Sequence, residues 1–122
     1  MKIFLLVFIF LFVSCQDYNS NSADESRYEE ITFPPGATAE LQASYRIIKD
    51  RCFACHSDWS TYKTDQQWID AGLVIKNDTS NSSLIYRLKN FSPPGDMPTG
   101  AYPTVPNSEY QKLLSWITNM PP

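Results

Sequence analysis

The sequence predicts a small all-α domain of about four short helices over residues 38–122. Three observations predict it. Apolar side chains recur at helical spacing in separate stretches, cap-like residues precede those stretches, and strand signals are nearly absent. The one β-like run, Leu73-Val74-Ile75, is too short to begin a sheet. A chain of 122 residues has room for one such domain and hardly for two.

The first stretch lies outside that domain. Met1-Lys2 is a short basic start, Ile3–Val13 is an unbroken apolar run, and Ser14-Cys15 follows. Eleven apolar residues cover about half of a ~30 Å hydrocarbon core, so residues 1–14 read as an export signal rather than a membrane span. Phe12-Val13-Ser14-Cys15 resembles the lipobox of bacterial lipoproteins, with Phe12 where leucine is usual. That resemblance implies that Cys15 is lipidated, becomes the mature N-terminus and anchors the chain to a membrane.

Residues 15–37 are expected to form a lipidated cysteine followed by a flexible acidic stalk. From 16 to 37 there are five acids against the lone Arg27 and no apolar period, and Pro34-Pro35-Gly36 breaks the chain before the domain. Such a composition buries too little surface to offset the entropy of ordering.

Within 38–122, Leu41, Ser44, Tyr45, Ile48 and Cys52 share one face of a helix that starts near Thr38. Thr64-Asp65-Gln66-Gln67 reads as a capping box before a short helix carrying Trp68 and Ile69, stopped by Gly72. A third helix is expected after Asn81-Ser82-Ser83, burying Leu84, Ile85 and Leu88. A fourth is expected to open at Ser108, with Gln111 at the box position and Tyr110, Leu113, Leu114 and Ile117 on its stripe. Five of the nine prolines fall between Phe91 and Asn107, which predicts a conformationally restricted loop.

Composition excludes several functions. A net charge of −3 without a lysine or arginine block argues against a nucleic-acid groove. A single histidine excludes any mechanism that needs two. A core this thin usually needs help from a disulfide set, a metal or a cofactor.

Cys52-Phe53-Ala54-Cys55-His56 has the C-x-x-C-H spacing of c-type haem attachment. Positions i, i+3 and i+4 lie on one side of a helical turn. Two thiols so placed can add across neighbouring vinyl groups of one porphyrin, while the imidazole reaches the iron. A thioredoxin-like use would call for a βαβ setting, and a zinc site for further ligands. A structural disulfide leaves the position of His56 unexplained.

With His56 as proximal ligand, the sixth iron position falls to a methionine thioether. Met97, in Pro93-Pro94-Gly95-Asp96-Met97-Pro98-Thr99-Gly100, is favoured over Met120, which sits at a helix end where packing is the usual role. Trp59, Trp68 and Trp116 are expected to pack. Arg87 and Lys89 could pair a haem propionate or lie on a solvated face.

From about Ala39 to Met120 the chain resembles a class I monohaem cytochrome c. The short variants of that family carry a motif of the kind S-L-x-x-R-L, then M-P in a Pro/Gly loop, then a last helix ending in W-I. Here these are Ser83-Leu84-Ile85-Tyr86-Arg87-Leu88, Asp96-Met97-Pro98 and Ser115-Trp116-Ile117, with Ser57 where many members have glycine. The resemblance implies a cytochrome c-like bundle around one covalently attached haem c, with His56 on one face and Met97 on the other. It also implies that the terminal helices cross, with Tyr45 or Ile48 meeting Leu113, Leu114 or Ile117. The expected function is a single-electron carrier rather than an enzyme, with no catalytic residue. It would be tethered in the bacterial cell envelope, facing the periplasm. Its expected partners are redox proteins, membrane-associated, met as a monomer or as a subunit of a redox complex. The acidic balance predicts a partner with a basic patch, or a mainly apolar contact. The alternative is a haem sensor or peroxidase-like protein with an open or labile sixth position.

Overall fold

Thr38 begins the first helix because its Oγ1 accepts from the Leu41 amide at 3.1 Å, satisfying one of the free amides of the first turn. Helix α1 spans Ala39–Cys52, with Glu40 in its first turn and Lys49 and Arg51 in its last, each favourable to the helix dipole. Leu41, Ser44, Tyr45 and Ile48 are buried, which is the stripe read from the sequence. The structure, a computed structural model, describes residues 30–91 and 95–122. The export signal, Cys15, stalk residues 16–29, and Pro93 and Pro94 therefore lie outside the described residues.

A 3₁₀ turn, Ser57–Thr61, follows the C-x-x-C-H segment. The expected capping box then opens α2, Asp65–Asp70: Thr64 Oγ1 accepts from the Gln67 amide, and Gln67 Oε1 accepts from the Thr64 amide. Gly72, at φ 69°, supports the reversal that ends it.

The third helix forms where expected but is shorter. α3 covers only Ser83–Tyr86, so Leu88 is buried in the turn beyond it. The reason is long-range. The Arg87 carbonyl accepts from the Met97 amide at 2.7 Å, and the Lys89 amide donates to the Met97 carbonyl at 2.9 Å, which diverts this backbone from continuing the helix.

Helix α4, Asn107–Thr118, also differs at its start. Pro106 occupies the cap position with no side-chain cap, and Ser108 and Gln111 form no box. Gln111 Nε2 instead donates to Asn107 Oδ1 at 3.4 Å. Leu113, Trp116 and Ile117 make the buried face, while Tyr110 and Leu114 are half-buried.

Among the described residues the domain is all-α: no strand forms, and only two isolated bridges occur, Ile75–Asp78 and Leu88–Met97. α1 packs on α4. The bidentate pair of Arg51 with Glu109, both bonds 2.9 Å, ties the end of α1 to the start of α4. Trp68 is 0% exposed and lies edge-on to Trp59, Tyr62 and Trp116. Its indole donates to the Tyr62 carbonyl at 3.2 Å, and that of Trp116 to Asp65 Oδ1 at 2.7 Å, so both buried N–H groups have partners.

The end of α4 is finished from outside. Asn77, at φ 56°, donates from its amide to the Ile117 carbonyl and from Nδ2 to the carbonyls of Thr118 and Met120. The compact unit runs Thr32–Pro122, reaching further back than residue 38, because Phe33 lies edge-on against Tyr45 at 5.2 Å. That unit holds eight acids and eight bases, so the acidic excess of the chain falls before it.

Candidate functional site

Cys52 is the last residue of α1, and its carbonyl accepts from both the Cys55 amide at 3.1 Å and the His56 amide at 2.9 Å. These two bonds wind one more turn beyond the helix, so the two thiols and the imidazole are presented together by local backbone geometry. His56 is half-buried and stacked on Trp59, with ring centroids 4.0 Å apart and planes 14° from parallel. That stacking restricts the imidazole to one plane. The 3₁₀ turn supplies Trp59 three residues after His56, and the Trp59 amide donates to the His56 carbonyl at 3.2 Å.

Phe53, inside the motif, is anchored by Tyr45, edge-on at 5.4 Å. Tyr45 is itself fixed by donating to the Ser60 carbonyl at 2.7 Å and by accepting from Lys63, whose ammonium lies 3.8 Å from the tyrosine ring centroid.

A predominantly apolar cavity of about 220 Å³ opens beside this turn. Cys52, Cys55 and His56 line it, and so do Leu84 and Leu88 from the α3 region and Met97 from the proline loop. Cys55 and Tyr102 are exposed at its rim. Met120 does not reach this cavity. It is buried, and it lines a second one of about 320 Å³ formed with Pro35, Leu41 and Pro121. Of the two methionines weighed from the sequence, Met97 is the one that shares a cavity with His56.

The donor set can be tested against candidate occupants. Among the described residues, no group of three or more His, Cys, Asp or Glu side chains could hold a bare metal ion. One imidazole and one thioether suit iron that already carries four equatorial ligands, as in haem. Two adjacent thiols suit covalent attachment, and such bonds retain a group in a partly open cavity. The residues present fit a haem c.

Two basic side chains line the cavity, and both already have carboxylate partners. Arg51 holds Glu109, and Arg87 holds Asp96 through bonds of 2.9 and 2.6 Å. The Arg87 guanidinium keeps the Asp96 carboxyl below its usual pKa. Lys89 donates to the Gly100 carbonyl at 3.3 Å.

Cys52 and Cys55 are free thiols. Burial pushes the Cys52 pKa up to about 11, reinforced by Cys55 and opposed by Arg51. Thiol–disulfide catalysts show the opposite shift, which gives them a reactive thiolate near neutral pH. At pH 8 the Cys52 thiolate is roughly one part in a thousand, from a pKa of about 11. In chain produced without haem ligation, alkylation of Cys52 followed by peptide mass mapping should therefore rise about tenfold per pH unit from 8 to 10. A rate already level at pH 8 would contradict this burial.

Trp59 as the stacking partner of His56, Tyr102 at the rim and the backbone pairing of Met97 were not read from the sequence. Only Trp59 had a usable signal, its i+3 spacing from His56. Compared with family models, with curated proteins and with solved structures, the chain matches none.

Proposed function

We propose that this chain is a single-electron carrier with one covalently attached haem c, tethered through Cys15 in the bacterial cell envelope and facing the periplasm. One observation carries the reading: Cys52, Cys55, His56 and Met97 line a single apolar cavity. Bound there, haem c supplies reversible one-electron chemistry at iron with no bond made to a substrate. Cys52 and Cys55 would hold it through thioethers, and His56 and Met97 would be the side chains that ligate its iron. Trp59 keeps the imidazole in plane, and Leu84 and Leu88 exclude water and lower the local dielectric. No general base or nucleophile is required, so the protein is not an enzyme under this reading.

Partners are redox proteins at the membrane, met alone or within a larger complex. The balanced charge of Thr32–Pro122 supports a mainly apolar contact around the cavity rim over a basic docking patch on the partner.

A second reading, a haem sensor or peroxidase-like protein, draws on the half-buried Met97 and its loop, whose Asp96 tie to Arg87 is solvent-exposed. Mass spectrometry and optical spectra of the mature chain decide between the two. The carrier should retain one haem mass through denaturation and show, when oxidised, the weak far-red band of methionine sulfur on ferric iron. High-spin ferric features and rapid carbon monoxide binding to the reduced protein would select the second reading. Colourless protein with free or mutually joined thiols would dismiss both.

A further inference from the structure

Met97 lines the cavity, and three features set its place. The first is a two-sided backbone clamp. The Met97 amide donates to the Arg87 carbonyl at 2.7 Å, and its own carbonyl accepts from the Lys89 amide at 2.9 Å, so Met97 pairs alongside Leu88. The second is the missing side chain at Gly95. A Cβ there would stand 2.7 Å from the Leu88 carbonyl carbon, 2.8 Å from the Leu88 oxygen and 2.8 Å from the Arg87 oxygen. All three are backbone atoms, which cannot swing aside. The third is the bidentate bond of Arg87 to Asp96, the residue next to Met97.

The strip that receives Met97 is itself anchored. Leu88 is buried. At the other end of α3, the Leu84 amide donates to the Leu73 carbonyl at 2.9 Å, and Ser83 Oγ donates to the Gly72 carbonyl at 3.1 Å. The loop is thus registered against a fixed surface, and the register decides where its thioether lies.

We infer that Gly95, Asp96 and Arg87 are positioning residues for the distal ligand: close backbone approach at Gly95 and the Arg87–Asp96 bond together hold Met97 in the cavity. This rests on the haem reading above. The two contributions are unequal. An ion pair with both side chains about half exposed, 46% and 56%, shifts a local opening equilibrium by roughly threefold. A Cβ at Gly95 must separate two backbones, so both clamp bonds lengthen together.

The test uses full-length, haem-loaded protein in four forms: wild type, Gly95→Ala, Asp96→Asn and Asp96→Glu. Retained haem mass should be equal in all four, since the attachment turn is untouched. In Gly95→Ala the far-red band of the oxidised protein should be lost, and carbon monoxide binding to the reduced protein should quicken at least tenfold. Hydrogen exchange at the Met97 and Lys89 amides should accelerate in step. Asp96→Asn should quicken carbon monoxide binding about threefold, and Asp96→Glu, which keeps the carboxylate, should restore the wild-type rate. If Gly95→Ala does not fold, the Asp96 pair decides.

A folded Gly95→Ala with the full band and wild-type rates overturns the inference, and so does Asp96→Asn indistinguishable from wild type. Wild-type protein without haem overturns the functional reading instead. The exchange rates of the Met97 and Lys89 amides would then still judge the clamp on its own.

Discussion

Chain carrying Cys52→Ser together with Cys55→Ser is expected to leave a haem-ligating host with no haem mass surviving denaturation, while Cys15→Ala keeps the full complement and loses only its lipid. On the haem reading, the loss in the double variant is complete because no sulfur remains to form either thioether. Cys52 ends α1, and its carbonyl receives the amides of both Cys55 and His56, so the turn persists without the thiols. The double variant thus removes the bonds but leaves the imidazole stacked on Trp59. Either single variant retains one sulfur and should hold haem in reduced yield. Mass spectrometry in denaturant separates these outcomes. Haem persisting on the double variant would mean that the link runs through other atoms.

Trp68→Ala should be the most damaging change to stability. The side chain is 0% exposed, meets Trp59, Tyr62 and Trp116 edge-on, and donates to the Tyr62 carbonyl. Removing a large buried aromatic costs about 3–5 kcal/mol, against a total of about 5–15 kcal/mol for typical domains. For a domain of this size each kcal/mol shifts Tm by about 4–8 °C, so the midpoint should drop by at least about 12 °C. Trp59→Ala, at a half-buried position, should cost less in stability while freeing the His56 ring. Thermal unfolding followed by far-ultraviolet circular dichroism measures both. A Trp68→Ala midpoint within a few degrees of wild type would show that the cluster closes over the gap.

What could be read from the sequence divides along a physical line. Local patterns were legible: the Leu41–Ile48 stripe with Thr38 before it, the Thr64–Gln67 box, and the presence of a third and a fourth helix. Each depends on residues within one or two turns. Features set by distant partners were not legible. α3 stops early because Arg87 and Lys89 pair with Met97, a contact no periodicity encodes. α4 starts at Asn107 because Pro106 already supplies an extended residue of fixed φ before it, leaving Ser108 inside the helix. Leu114 is only half-buried, and the buried face includes Trp116, which reaches Asp65 and Trp68 in a distant part of the chain. The site divides likewise. Cys52, Cys55 and His56 form a local motif, whereas the sorting of Met97 from Met120 into different cavities required the folded chain.

The three carbonyls that Asn77 satisfies belong to Ile117, Thr118 and Met120, forty or so positions away along the chain. A helix terminus ordinarily unravels by itself, one carbonyl after another, with no consequence for the rest of the molecule. Here the Ile117 carbonyl is bound by the Asn77 backbone amide, so releasing it disturbs the segment around residue 77, whose Ile75 amide is held by the buried Ser82 hydroxyl just ahead of α3. Melting at the tail is therefore not a private event. It is coupled to the middle of the domain, and an otherwise small bundle gains cooperativity from a single asparagine.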